Sequence, residues 1–293
     1  MGAPADDRPD VVARLRAAGC VFAEDEAALL VEAAGAGGDL DALVARRVGG
    51  EPLEQVLGWA AFRGLRVDVA PGVFVPRQRT ALLVSEALAL VARREAAAGE
   101  GAGGEGAGGG VAAGGTRGGL LVVDLCCGTG ALGLALATEA AAAGERVELH
   151  AADVDPDAVA CAARNVARVG GAVHEGDLFA ALPDALRGRV DVLLANVPYV
   201  PTAEIARLPP EARDHEHRVA LDGGPDGLDV LRRVAADAGA WLAPGGHLLT
   251  EVSEGQLADV VAVLRGAGLD VRVVRDDEAG ATGVVGTRAP GRG

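Results

Sequence analysis

Leu120-Leu-Val-Val-Asp-Leu-Cys-Cys-Gly-Thr-Gly-Ala-Leu-Gly133 starts as an unbroken apolar run, turns at its glycines and resumes as an alanine-rich helix. Six apolar or enclosed residues ahead of a glycine turn read as a strand buried on both faces, which belongs in a parallel sheet covered by helices. The glycines let backbone N–H groups approach a ligand with no Cβ in the way, and the following helix offers its positive end.

Outward from this stretch, strands and helices alternate. Strands are expected near 120–125, 147–152, 172–175, 190–195, 246–251, 270–275 and 283–287, with helices near 130–143, 155–169, 227–242 and 255–266. This alternation predicts a mostly parallel, doubly wound α/β sheet of seven strands, whose ligands sit beyond the carboxyl ends of the strands.

Upstream, residues 7–48 carry apolar positions at helical spacing (Val11, Val12, Leu15; Ala27, Leu29, Leu30; Leu40, Leu43, Val44) and predict three short helices. Alternation at Leu65, Val67 and Val69 predicts a hairpin. A helix is expected from about Thr80, as its N-cap, to Ala98, with Leu82, Leu83, Leu88 and Val91 on its buried stripe. The Gly/Ala/Glu tract at 99–119 is expected to be a flexible insertion. The resulting domains are 1–58 (all-α), 59–79 (hairpin linker) and 80–293 (α/β).

Half of the 293 residues are hydrophobic, enough for a sizeable core, but aromatics are 2%. All 27 basic residues are Arg, which excludes a P-loop lysine and a Schiff-base lysine. A net charge of −15 repels phosphate backbones and argues against a nucleic-acid substrate. Cys20, Cys126, Cys127 and Cys161 have no metal or disulfide spacing, as in a reduced compartment. There is no signal-peptide pattern, membrane span or myristoylation motif at Met1-Gly2, so a cytoplasmic protein without a membrane partner is expected.

Gly128-Thr-Gly130-Ala-Leu-Gly133 satisfies G-x-G-x-x-G, a pattern shared by nicotinamide dehydrogenases and S-adenosylmethionine enzymes. Asp153 follows Gly130 by about 20 residues, the place of an acid that accepts from ribose hydroxyls. Asp155 reads instead as a helix N-cap ahead of Pro156. Asp177 is placed to accept from an adenine amino group with Leu178 and Phe179 over the ring, or else is a surface turn Asp. Asn196-Val197-Pro198-Tyr199, closing the fourth strand, suits a planar NH₂. The Asn oxygen and a backbone carbonyl give two fixed acceptors, Pro locks the turn, and Tyr stacks. His215-Glu216-His217 reads as a solvated, substrate-facing segment and not a metal site, because adjacent residues seldom converge on one ion. The sequence does not decide whether Glu51, Arg77 and Glu251 form ion pairs or touch substrate.

The chain resembles the protein-(glutamine-N5) methyltransferases that modify peptide-chain release factors. The resemblance rests on Gly50-Glu51-Pro52 with Gly58 and Phe62; Pro71 to Arg77 with Thr80; Asp124 to Gly130; Asp153; Gly176 to Phe179; Asn196 to Tyr199; and Val219 to Leu228. It spans nearly the whole chain apart from the glycine tract. It implies a Rossmann-like domain binding S-adenosyl-L-methionine, a helical N-terminal domain that helps bind the release factor, and the glutamine of a Gly-Gly-Gln loop as substrate. Asp124, Cys126, Gly128, Thr129, Gly130, Asp153, Asp177, Leu178 and Asn196 would hold the cofactor. Asn196, Val197, Pro198 and Tyr199 would hold the substrate amide, in a monomer acting on a protein. The chain departs from the family's usual pattern at Val197, where Pro is usual, and at Cys126-Cys127, and its family arginine near the C-terminus is not evident in Asp276 to Thr282. These departures point to a divergent subgroup. Three other readings share some of these features: a nucleic-acid exocyclic-amine methyltransferase, a nicotinamide oxidoreductase and a silent paralogue.

Overall fold

The computed structural model describes residues 8–100 and 119–291, so nearly all of the expected insertion, and Met1-Gly2, lie outside the described residues. Helices α1 (Arg8–Ala17), α2 (Ala23–Gly35) and α3 (Leu40–Val48) are the three expected from periodicity. Asp39 caps α3 by accepting from Ala42 N at 3.2 Å. A fourth helix, α4 (Leu53–Leu57), was not legible because five residues between Pro52 and a left-handed Gly58 are too few to show a period. These helices bury a core of their own, including Val11, Leu15, Ala27, Leu30, Val44 and Val56.

Strands β1 (Trp59–Phe62) and β2 (Leu65–Asp68) form the antiparallel hairpin. It packs onto the larger body: Phe62 and Val67 join the core there, and Arg63 donates to both Glu139 oxygens at 2.5 and 2.6 Å. Helix α5 (Ala81–Glu100) follows a short 3₁₀ turn, Gln78–Thr80. The Thr80 hydroxyl does not cap α5 as expected. It donates to Glu251 Oε2 at 2.5 Å, a buried acceptor that the local pattern could not reveal. The fully buried positions of α5 are Leu83, Val84, Ala87 and Val91, with Leu82 and Leu88 only half-buried.

The remaining elements are β3 (Leu120–Leu125), α6 (Ala131–Ala142), β4 (Val147–Asp153), α7 (Pro156–Val166), β5 (Ala172–Glu175), β6 (Val190–Ala195), α8 (Pro210–His215), α9 (Asp229–Trp241), β7 (Leu242–Glu251), α10 (Leu257–Gly266), β8 (Leu269–Asp276) and β9 (Ala281–Arg288). The sheet runs β5-β4-β3-β6-β7-β9-β8. All its pairs are parallel except those made by β9, which lies antiparallel between β7 and β8. Strand β7 begins four residues earlier than expected because Pro244-Gly245-Gly246 hides its first half, where the pairing with β6 also shifts register.

The period-two alternation of the strands divides the core. Val122, Leu149, Ala151, Val192 and Leu194 face α5 and α6 on one side. Leu121, Val123, Leu125 and Leu193 face α9, with its Trp241, and α10 on the other. The chain places β4 and β5 on one side of β3, then crosses to β6 on its other side. The gap beyond the ends of β3 and β6 is therefore the switch point of a doubly wound Rossmann-like sheet, where ligands of such sheets bind.

Gly130, the N-cap of α6, has φ +73°. A Cβ there would lie 2.9 Å from Val166 Cγ2 and 3.3 Å from Ala162 Cβ on α7. Gly130→Ala therefore combines left-handed strain with a clash between two core helices. We expect it to destabilise the protein by roughly 2–3 kcal/mol, read as a lower denaturant midpoint at unchanged slope.

Candidate active site

A cleft of about 540 Å³ opens at the carboxyl ends of β3, β4, β5 and β6. One wall is the glycine turn, built by left-handed backbone at Cys126 (φ +53°) and Gly128 (φ +53°). Gly128 N donates to Asp153 Oδ2 at 2.8 Å, and Asp155 N donates to Asp153 Oδ1 at 3.0 Å. Asp153 is thus fixed at the end of β4 with lone pairs left for a ligand, although burial pushes its carboxyl up. Asp155 caps α7 by accepting from Asp157 N at 3.0 Å, with Pro156 at the first helical position, as the sequence suggested.

Several expected cofactor residues sit elsewhere than at the cleft surface. Asp124 lies under the turn, 1% exposed, and accepts from Gly133 N at 2.9 Å through Oδ2 while Oδ1 has no partner. Gly130 serves the contact between α6 and α7. Cys126, Thr129 and Leu178 do line the cleft, and burial pushes the Cys126 and Cys127 thiols well up, so both stay protonated packing groups. Asp177 lines it too but is exposed and paired with Arg233 at 2.5 Å. Phe179 does not cover the cleft. It stacks on Trp241 with ring centroids 5.2 Å apart, because the 3₁₀ turn after Asp177 rotates it into the sheet core.

The opposite wall is Asn196-Val197-Pro198-Tyr199. Val197 is 3% exposed and packs its side chain into the core beneath. Asn196 Oδ1 is buried and has no hydrogen-bond partner among the described residues. An unmet buried acceptor costs about 1–3 kcal/mol, so a residue that carries one at a cleft wall is open to a donor from a ligand.

Tyr199 also lines the cleft, and its hydroxyl accepts from Arg79 Nη2 at 2.6 Å and donates to Glu251 Oε1 at 3.1 Å. Glu251, at the end of β7, also receives Arg79 Nε at 2.7 Å and the Thr80 hydroxyl. The ring is thereby held at the wall from its far end. Burial raises the Tyr199 phenol, with the Glu251 charge adding to it and Arg79 opposing. Tyr199 is the only tyrosine, so the tyrosinate absorbance titration reads this residue alone. We expect a midpoint above the ordinary value of 10.0 and a lower one in Glu251→Gln, which removes the repelling carboxylate.

The loop bearing α8 forms the rim. Glu216 is not solvated as its polar neighbours suggested. Its side chain is enclosed, Arg77 Nη2 donates to both oxygens at 2.7 and 2.8 Å, and Val75 N adds 3.1 Å. Arg77 in turn lies over the Phe74 ring. His217 Nδ1 is 2.6 Å from Asp155 Oδ2. Among the described residues, Asp155, Asp157 and His217 are the one group close enough to share an ion, but Asp155 is engaged by Asp157 N and His217. Gln55 of α4 pins the rim by donating to His215 O at 3.0 Å and Val73 O at 3.1 Å. Arg47 of α3 spans Glu26 at 2.6 Å and Glu211 at 2.5 Å. Glu51 pairs with Arg46, away from the cleft lining.

The residues present fit a nucleoside sulfonium cofactor: a glycine turn, a fixed ribose-type acid at Asp153, and an orphaned acceptor across the cleft. Comparison with known proteins agrees. Residues 117–208 match the family model described as "Methyltransferase small domain". The chain is 36% identical to a release factor glutamine methyltransferase of Geobacter sulfurreducens, over 84% of this chain and 76% of that protein. It is 32% identical to that of Bradyrhizobium diazoefficiens, over 96% and 93%. A 4-amino-L-phenylalanine/4-methylamino-L-phenylalanine methyltransferase of Streptomyces pristinaespiralis is 35% identical over 77% of this chain and 69% of that protein. 

Proposed function

The chain belongs to the release factor glutamine methyltransferase family, and on that footing we propose that its cleft moves a methyl group from S-adenosylmethionine to the side-chain amide nitrogen of a protein glutamine. The glutamine proposed is that of a Gly-Gly-Gln loop in a peptide-chain release factor. The observation that carries the reading is Asn196 Oδ1, a buried acceptor without a donor in the wall of the cleft.

When bound, the cofactor supplies an activated methyl on sulfur, and Gly128, Thr129 and Asp153 are the residues proposed to hold it. The chain's own work is positional. An amide nitrogen is a poor nucleophile because its lone pair is delocalised, so orientation matters more than a base. Asn196 Oδ1 accepts one amide N–H, the Val197 carbonyl is offered to the other, and the Tyr199 ring, tethered by Arg79 and Glu251, lies against the amide plane. The methyl would pass from sulfur to the amide nitrogen so held, and the surplus amide proton would leave to water.

The cleft lining carries six carboxylates against three guanidiniums, a balance that disfavours a polyanionic substrate. The N-terminal residues 1–58, which include helices α1 to α4, are proposed as the part that helps bind the release factor. Incubation of the purified chain with S-adenosylmethionine and bacterial release factors, followed by peptide mass spectrometry, tests the reading. A gain of one methylene on the Gly-Gly-Gln peptide is expected. An unmodified glutamine alongside methylated nucleic acid would replace it with the exocyclic-amine reading.

A further inference from the structure

The charges lining the cleft are nearly all engaged. Asp153 accepts from Gly128 N and Asp155 N, and Asp155 meets Asp157 N and His217. Asp177 pairs with Arg233, Glu211 with Arg47, and Glu216 with Arg77. Arg79, the remaining guanidinium, is taken by Glu251 and Tyr199. Glu54 stands apart. It lines the cleft from the first turn of α4, is only partly exposed, and has no hydrogen bond or ion pair among the described residues.

Its position is fixed by its neighbour. Gln55 ties α4 to Val73 and to the rim at His215, so the Glu54 carboxylate is held at the cleft by a backbone that cannot easily turn away. Its charge is felt by the enclosed Glu216, whose carboxyl it helps to raise. A carboxylate kept in a cleft already rich in negative charge, and left without a cation, is better stabilised by one that arrives with a ligand. The cofactor brings a net charge of only about one, less than the excess of carboxylates over guanidiniums in the lining.

The geometry points to Glu54 as a specificity residue that receives a cationic side chain, arginine or lysine, next to the acceptor glutamine. This rests on the glutamine reading of the cleft and narrows its substrate to a basic loop. Across a partly buried site one such pair corresponds to about a tenfold preference.

The test uses the full chain loaded with S-adenosylhomocysteine and two capped peptides, Gly-Gly-Gln-Arg and Gly-Gly-Gln-Glu, titrated calorimetrically. The same two sequences, built into a release-factor loop, compete for transfer in parallel. Wild type is expected to favour the Arg form by about tenfold, Glu54→Gln to reduce the preference to about twofold, and Glu54→Arg to invert it. Absence of an Arg preference in both formats overturns the assignment. So does a preference unchanged in Glu54→Gln, or a Glu54→Gln defect that appears in S-adenosylhomocysteine affinity instead, which would give the carboxylate to the cofactor. Arg-selective binding without any methyl transfer would defeat the glutamine reading and leave the Glu54 assignment in place.

Discussion

Asn196→Ala is expected to lower the rate of methyl transfer by about 10²–10³-fold or more while leaving the dissociation constant of S-adenosylmethionine within a few-fold of wild type. Deleting one preorganised partner from a site that stabilises a transition state costs about this much, and Asn196 Oδ1 has no hydrogen bond among the described residues that its loss would disturb. Because that oxygen is buried and unpaired, its removal also relieves a cost of about 1–3 kcal/mol. The melting temperature of the variant is therefore expected to equal or exceed that of wild type. This combination separates a substrate acceptor from a structural residue: a polar group that held the fold together would lose stability and activity at once. Single-turnover kinetics, cofactor calorimetry and a thermal melt on the same preparation check it. Full activity in the variant would remove Asn196 from the proposed mechanism.

Asp124→Asn is expected to stabilise the cofactor-free protein at neutral and alkaline pH and to change little in acid. Burial pushes the Asp124 carboxyl from 3.8 up to about 7, opposed by the Gly133 N–H and reinforced by the Asp153 charge. The sign follows from linkage. A carboxyl whose value is raised by folding binds its proton more tightly in the native state, so its favourable contribution is complete below 3.8 and is lost as pH rises towards about 7. Above that, wild type carries the whole cost of an ionised buried acid, on the order of 4 kcal/mol as an upper bound. An Asn keeps the acceptor for Gly133 N and replaces the protonated oxygen with an NH₂, so the two proteins match only where Asp124 is protonated. Melts across this range should diverge by roughly 5 °C or more at the alkaline end. Parallel curves would show that Asp124 does not titrate in the window.

Much of the fold was legible because its strands are enclosed. β3 and β6 occupy the expected residues, since largely apolar runs between turn signals leave little choice of bounds, and β5, a half-exposed edge strand, falls where the glycines on either side of it leave room for one. Asn196 and Tyr199 could be assigned to a cleft because any residue just past a central parallel strand lies there. The Arg79–Glu251–Tyr199 cluster was not legible. Arg79 and Glu251 are 172 positions apart, and their meeting depends on where β7 lies in the sheet, which periodicity does not specify. Phe179 shows the opposite failure. Its neighbours placed it correctly in the chain, but the turn after Asp177 decided which way the ring faces. Glu54 carried no local signal, since a glutamate in a five-residue helix is ordinary until its surroundings are known.

Gln55 has a bearing on how a folded protein could present its glutamine. One side-chain amide clips helix α4 both to the segment at Val73 and to the rim at His215, and Arg47 adds a second clip at Glu211. To swing the rim outward, the fastenings at His215 and Glu211 would have to part together. An entrance fastened in this way admits a thin strand of chain more readily than a bulky one, and a residue flanked by glycines is about as slender as a polypeptide can be.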